Sequence, residues 1–226
     1  MAHNKEKAIL NLGSASDPYM DIEKELFLTR DILKIFQRFK FPTEIITKSD
    51  LVLRDIDILK KIDEVAILPE DVKDDLKSNI IICFSFSTTN DNVAAIFEPN
   101  ATSPSKRLIA MKKLSKEGFH VGAAFMPVLP FISDSVEELT KAMDLFSKSK
   151  CNFLIPGPMT LFGNDNKSSR IKYYNCIKEN FPELLEQTKD LFLDEKLEYP
   201  LKSYQNRIYR KIFLLSNEFR IKNTIL

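Results

Sequence analysis

The chain has 226 residues, 44% hydrophobic and 29% charged, which suits a folded protein with a substantial core and excludes the composition of a disordered chain. Thirty-three Lys and Arg against 32 Asp and Glu leave a formal net charge of +1, so no bulk field draws it to nucleic acid or an anionic membrane. The first residues have no apolar run of signal-peptide length behind them, and no stretch approaches the 18 apolar residues of a membrane span; with three widely spaced cysteines, Cys83, Cys151 and Cys176, this reads as a cytoplasmic protein with buried, reduced thiols.

Residues 8–12 are a short apolar run that ends at Gly13, as a buried strand closing into a loop would. From Asp21, a capping residue, Leu26, Thr29, Leu33 and Phe36 recur at helical spacing as far as Phe39. Pro42 breaks that helix, and residues 43–47 follow as a second strand. Leu53, Ile56, Leu59 and Ile62 mark a second helical face, and the charged residues 69–77 read as an insertion. Residues 80–86 are continuously apolar, the pattern of a strand covered on both faces of a parallel sheet.

Ser103 as cap, Pro104 at the first helical position and Gly118 past the end delimit a helix with a Leu108, Met111, Leu114 core stripe. Residues 121–125 form a fourth strand, Ser135 and Glu138 a capping box for the next helix, and residues 151–155 a fifth strand. Strands alternating with helix-length connections predict an α/β fold with a parallel sheet, a barrel or partial barrel, over residues 1–168. Residues 169–226 read as a C-terminal helical extension packed on it, with a clear stripe at Tyr204, Ile208, Ile212, Leu215 and Phe219. Its basic residues interleave with tyrosines, which fits either a nucleic-acid contact or a packed helix with a solvated face.

In parallel α/β folds ligands gather at the carboxyl ends of the strands. There the sequence places Ser14, Ser16 and Asp17, then Lys48, then Ser85, Ser87 and Thr88, and finally two proline turns. Lys48 alternates with Glu44 and Ile46 onto one face and suits an anionic group. Taken singly, the Ser and Asp residues read equally as turn and cap formers, and Lys48 as a solvated loop lysine. His3 and His120 have no partner at metal-ligand spacing, and the five glycines form no phosphate-binding loop.

Residues 13–23 (GSASDPYMDIE), 45–50 (IITKSD), 85–91 (SFSTTND), 97–99 (FEP) with 103–107 (SPSKR), and 118–130 together resemble, in order and approximate spacing, the radical SAM proteins of the spore photoproduct lyase-like group, often labelled DNA repair photolyases. The resemblance covers about residues 7–160. It implies a partial TIM-type barrel whose first strand is absent from this sequence, leaving about five parallel strands. S-adenosylmethionine would lie across the strand ends on a [4Fe-4S] cluster and give a 5′-deoxyadenosyl radical. By the same resemblance, Ser16 and Asp17 fall where the methionine amino group is held, Lys48 where its carboxylate is paired, and Ser85 and Ser87 on the strand near the ribose. A zwitterion needs an anionic or hydroxyl acceptor near its ammonium and a cation near its carboxylate, which these residues supply.

The group's cluster is held by three cysteines in a CxxxCxxC loop, and this chain has none; Ser14 stands where lesion-repairing members carry a hydrogen-donating cysteine. Three readings follow: the S-adenosylmethionine-binding portion of an enzyme whose cluster loop lies on a separate chain, a degenerate relative with at most nucleoside binding, or an unrelated barrel using Lys48 as a Schiff-base nucleophile. The first expects a partner chain and an unidentified substrate, with nucleic acid as one candidate.

Overall fold

A computed structural model describes residues 8–192 and 198–226. Five strands, β1 (Leu10–Leu12), β2 (Thr43–Thr47), β3 (Ile80–Phe86), β4 (His120–Val128) and β5 (Phe153–Pro158), form one sheet in chain order, every neighbouring pair parallel. The sheet is open, as a partial barrel is. Between the strands run α1 (Glu23–Leu26) and α2 (Leu28–Phe39), a 3₁₀ turn (Asp50–Asp55) continuing into α3 (Ile56–Val65), α4 (Asp91–Phe97) and α5 (Pro104–Lys116), and α6 (Val136–Lys148). After β5 come α7 (Ser169–Asn180), a short 3₁₀ turn leading into α8 (Leu185–Asp190), and α9 (Lys202–Glu218).

Strand periodicity divides the core in two. Ile45, Ile82, Phe84, Val121, Ala123, Phe125 and Leu154 point toward the helices and pack on Leu33, Leu59, Leu114, Met143 and Phe146. Residues one position over, Ile46, Ile81, Cys83, Ala124, Phe153 and Ile155, form a second cluster on the other face. This is why β3 reads as unbroken apolar sequence: it is covered on both sides. At Gly122 an added Cβ would sit 2.2 Å from the Phe153 ring, so the residue's lack of a side chain makes room for that ring, which stacks on His120 with centroids 5.1 Å apart.

The charged residues 69–77 are not a loose insertion. Val72 and Leu76 from this stretch, Leu68 just before it and Ile225 from the C-terminal end close the second cluster, and His120 Nε2 lies 2.9 Å from the Ile225 carbonyl oxygen. On the opposite face, Tyr204, Ile208 and Ile212 of α9 join the main core, and Leu154 N–H donates to the Lys222 carbonyl, extending the sheet past β5.

Two local expectations are corrected. The helix expected from Asp21 to Phe39 is broken: Phe27 has φ +54°, α1 starts at Glu23, and Asp21 makes no cap, pairing instead with Lys24 at 2.7 Å. Phe27 adopts this conformation beneath Arg54, whose guanidinium carbon is 4.6 Å from its ring centroid. The fourth and fifth strands run to Val128 and Pro158, beyond the expected 121–125 and 151–155. Among the described residues, no helix is long and apolar enough to cross a membrane.

Candidate functional site

The loop after β1 crosses the end of β2, and Gly13 permits it. Its φ is +111°, and a Cβ there would lie 2.1 Å from the Ile46 carbonyl oxygen, so only glycine fits. The crossing delivers Asp17 to the end of β2. Asp17 Oδ1 accepts from Tyr19 N–H at 2.9 Å and the Thr47 hydroxyl at 2.7 Å, and Oδ2 accepts from Lys48 N–H at 2.6 Å. Three of a carboxylate's roughly four lone-pair positions are thereby used.

A buried ionic network secures the same loop from behind. Asp55, fully buried, accepts from the Tyr19 hydroxyl (3.1 Å), Arg30 (2.8 Å) and Arg54 (2.9 and 3.0 Å). Arg54 also donates to Glu23 at 2.8 Å, and Glu23 accepts from Thr29 N–H at 3.1 Å. Burial, reinforced by the Asp55 charge, pushes the Tyr19 hydroxyl far above its ordinary pKa, so it stays a donor.

Beside this loop, Lys48 Nζ lies 3.2 Å from Glu98 Oε1. The same oxygen accepts from the Ser87 hydroxyl at 2.8 Å, and Glu98 Oε2 accepts from Arg107 at 2.6 Å. Arg107 is fully buried and also donates to the Ser85 carbonyl (2.7 Å) and the Thr102 carbonyl (2.6 Å). Burial alone would push the Glu98 carboxyl up; the Arg107 and Lys48 charges and the Arg107 and Ser87 hydrogen bonds outweigh it and hold the group below its ordinary value. Glu98 is therefore an ionised, neutralised anchor. Lys48, with its side chain 38% exposed, retains an open side toward solvent.

Two cavities share the Lys48–Glu98 pair and Phe97. One, of about 450 Å³, lies between residues 17–21 and 97–102 and includes Asp17, Asp21 and Ser49. The other, of about 370 Å³, lies over the strand ends against α7 and includes Ser87, Leu129, Met159 and Tyr173.

Of the residues singled out from sequence, Asp17 and Lys48 border the first cavity and Lys48 and Ser87 the second. Ser16 is exposed and Ser85 partly buried on β3, and neither borders either of these two cavities. Sequence reading assigned no role to Glu98 and Arg107, although a signal was present. Arg107 precedes Met111 and Leu114 by four and seven residues, which puts a guanidinium on the core stripe of α5 and calls for a buried partner.

The cysteines are not grouped. Cys83 and Cys151 are buried, with thiols pushed up by burial, Cys151 to about 12. Contrary to the expectation of three buried thiols, Cys176 is only half-buried and borders the second cavity. Among the described residues no three His, Cys, Asp or Glu side chains are grouped to hold a metal. These cysteines do not fit an iron-sulfur cluster, which needs thiolates converging on one point.

Comparison with solved structures decides the architecture. Spore photoproduct lyase complexed with dinucleoside spore photoproduct superposes with a TM-score of 0.60 at 14% identity, over 96% of this chain and 60% of that one. The chain has the spore photoproduct lyase fold. A double mutant of that lyase with bound AdoMet and dinucleoside spore photoproduct gives 0.61 at 15% identity over the same shares. The resemblance to the spore photoproduct lyase-like group read from sequence is borne out at the level of the fold.

Among sequence relatives, an uncharacterised protein of Methanocaldococcus jannaschii is 32% identical over 180 residues, 80% of this chain and 59% of the relative. One of Mycobacterium tuberculosis is 20% identical over 211 residues, 93% of this chain and 56% of the relative. The chain spans about six-tenths of the length of these relatives and of the lyase. No family model matches it.

Proposed function

We propose that this chain is the S-adenosylmethionine-binding portion of a radical SAM enzyme, with the cluster ligands supplied from outside these 226 residues. The observation that carries the reading is the position of Lys48: a partly exposed ammonium at a strand carboxyl end, bordering a 450 Å³ cavity beside Asp17. A solved relative of the same fold holds AdoMet.

The chain's own residues divide the work of binding. Lys48 pairs the ligand carboxylate from its open side while Glu98, itself held by Arg107, pairs the same ammonium from the core side. Asp17 has about one lone-pair position left, enough to accept one N–H of an ammonium, while its other bonds fix the loop over β2. Ser87 is spent on Glu98 and supports the site through it, while Ser16 and Ser85, which border neither cavity, are given no contact with the ligand. Bound S-adenosylmethionine would supply the radical chemistry, which belongs to the cofactor. No step through the cluster is assigned to this chain, because its cysteines do not fit one.

The test is equilibrium binding of S-adenosylmethionine to the purified chain by calorimetry, with Lys48→Ala as comparison. Saturable binding that weakens in the variant supports the reading. Absence of binding favours a degenerate relative.

A further inference from the structure

Helix α2 turns Leu33 and Phe36 to the core and leaves a second apolar stripe in solvent. Leu28, Ile32, Ile35 and Phe39 succeed one another at spacings of four, three and four residues, hence along one face, and are 38–58% exposed. We infer that this face binds its counterpart on a second copy of the chain, the two α2 helices antiparallel across a twofold axis. The inference does not depend on the proposed function.

The place of α2 in the fold accounts for the uncovered stripe. β1 is one edge of the sheet, so α2 has a helical neighbour on a single flank, where Arg30 donates to Asp55 at 2.8 Å and to Asp57 at 2.6 and 2.8 Å. At 100° per residue, Arg30 and the stripe fall on opposite flanks of the helix. The four side chains expose roughly 400 Å², the scale of the largest, often functional, apolar patch on a monomer.

Two features select a second copy as the occupant. The spacing is that of a two-helix seam, and the stripe is its own complement when reversed, with Ile32 opposite Ile35 of the other copy and Leu28 opposite its Phe39. The flanking charges agree with that register. Asp31 and Arg38 occupy equivalent positions beside the seam one heptad apart, so each meets the other across the twofold axis and the pair forms twice. Both are exposed: Asp31 pairs only with Lys34 on its own helix, a surface pair that can exchange, and Arg38 makes no ion pair among the described residues. With their polar flanks, two such faces bury about 1,000–1,200 Å² in all, the low end for a specific interface, so a Kd on the order of 10 µM is expected.

Sedimentation equilibrium of the whole chain, from about 1 to 200 µM in about 0.05 M salt, tests this. The mass is expected to rise from 26.1 kDa to twice that value and to level there, because a twofold contact closes on itself. Ile35→Lys places a charge at the middle of the seam and is expected to raise the Kd at least about thirtyfold, with circular dichroism and the urea midpoint unchanged because the side chain is exposed in the single copy.

Charge exchange tests the register. Asp31→Lys and Arg38→Glu each set like charges in contact twice per dimer and are expected to raise the Kd about tenfold. The double variant restores opposite charges and is expected to return to within about threefold of the unaltered chain. A single-copy mass at about 200 µM, a mass that climbs past two copies, association untouched by Ile35→Lys, or a double variant no tighter than the weaker single variant overturns the inference.

Discussion

Glu98 stands between two cations, with Lys48 Nζ 3.2 Å from one carboxylate oxygen and Arg107 2.6 Å from the other, and it joins the rim of the sheet to the core of α5. The two pairs differ in kind. The Arg107 side is almost fully buried, so its partners cannot be replaced by water; the Lys48 side faces solvent and can exchange partners.

Removing the shared carboxylate should expose that difference. Glu98→Ala leaves the buried Arg107 guanidinium without its counter-charge and is expected to destabilise the fold by about 3–5 kcal/mol. Lys48→Ala removes only the solvent-facing pair and is expected to cost about 1 kcal/mol or less. Urea unfolding followed by circular dichroism measures both.

The network behind the Asp17 loop makes a similar claim. Asp55→Ala leaves the buried Tyr19 hydroxyl unpaired and takes the shared buried counter-charge from Arg54 and Arg30, which keep Glu23 and Asp57, and is expected to cost about 3 kcal/mol, while Tyr19→Phe removes one hydrogen bond and costs about 1 kcal/mol. Asp55→Ala should also speed amide exchange at Tyr19, because the loop loses its anchor, whereas a residue with no part in holding the loop would leave that rate unchanged.

The fold was legible from sequence largely through β3 and the helix punctuation. Continuous apolarity over residues 80–86 announced a doubly covered strand, and the Ser135 cap donates its signal as read, its hydroxyl accepting from Glu138 N–H at 3.1 Å. The break at Phe27 was not legible, because a left-handed residue held under an arginine depends on a contact with a residue 27 positions away. Nor could residues 69–77 be placed, since their charges hide the two apolar side chains that close the second core. At the site, strand-end position brought out Lys48 and Asp17, but not that Asp17 spends most of its carboxylate on its own backbone and neighbours. Hydrogen bonding of that kind leaves no trace in spacing.

Acidification should act through His120 before any carboxylate. Burial holds its imidazole pKa below the ordinary 6.5, despite the opposing hydrogen bond to the Ile225 carbonyl, so the folded state favours the neutral ring. The unfolded chain then takes up a proton first as pH falls through about 6.5, and stability declines from there down to the folded-state value. Urea midpoints are expected to drop between about pH 7.5 and 5.5, and His120→Phe, which keeps a ring stacked on Phe153, should flatten that drop. Glu98 adds a second loss at lower pH: its folded value lies below the ordinary 4.5, so its contribution is complete above that pH and disappears as pH falls through the folded value.

The most direct measurement is the calorimetric Kd for S-adenosylmethionine in the unaltered chain and in Lys48→Ala. A charge-assisted pair between this ammonium and the ligand carboxylate predicts a Kd about tenfold to a hundredfold higher in the variant. Equal affinity in the two proteins, or no binding to the unaltered chain at about 5 mM, would contradict a carboxylate grip at Lys48.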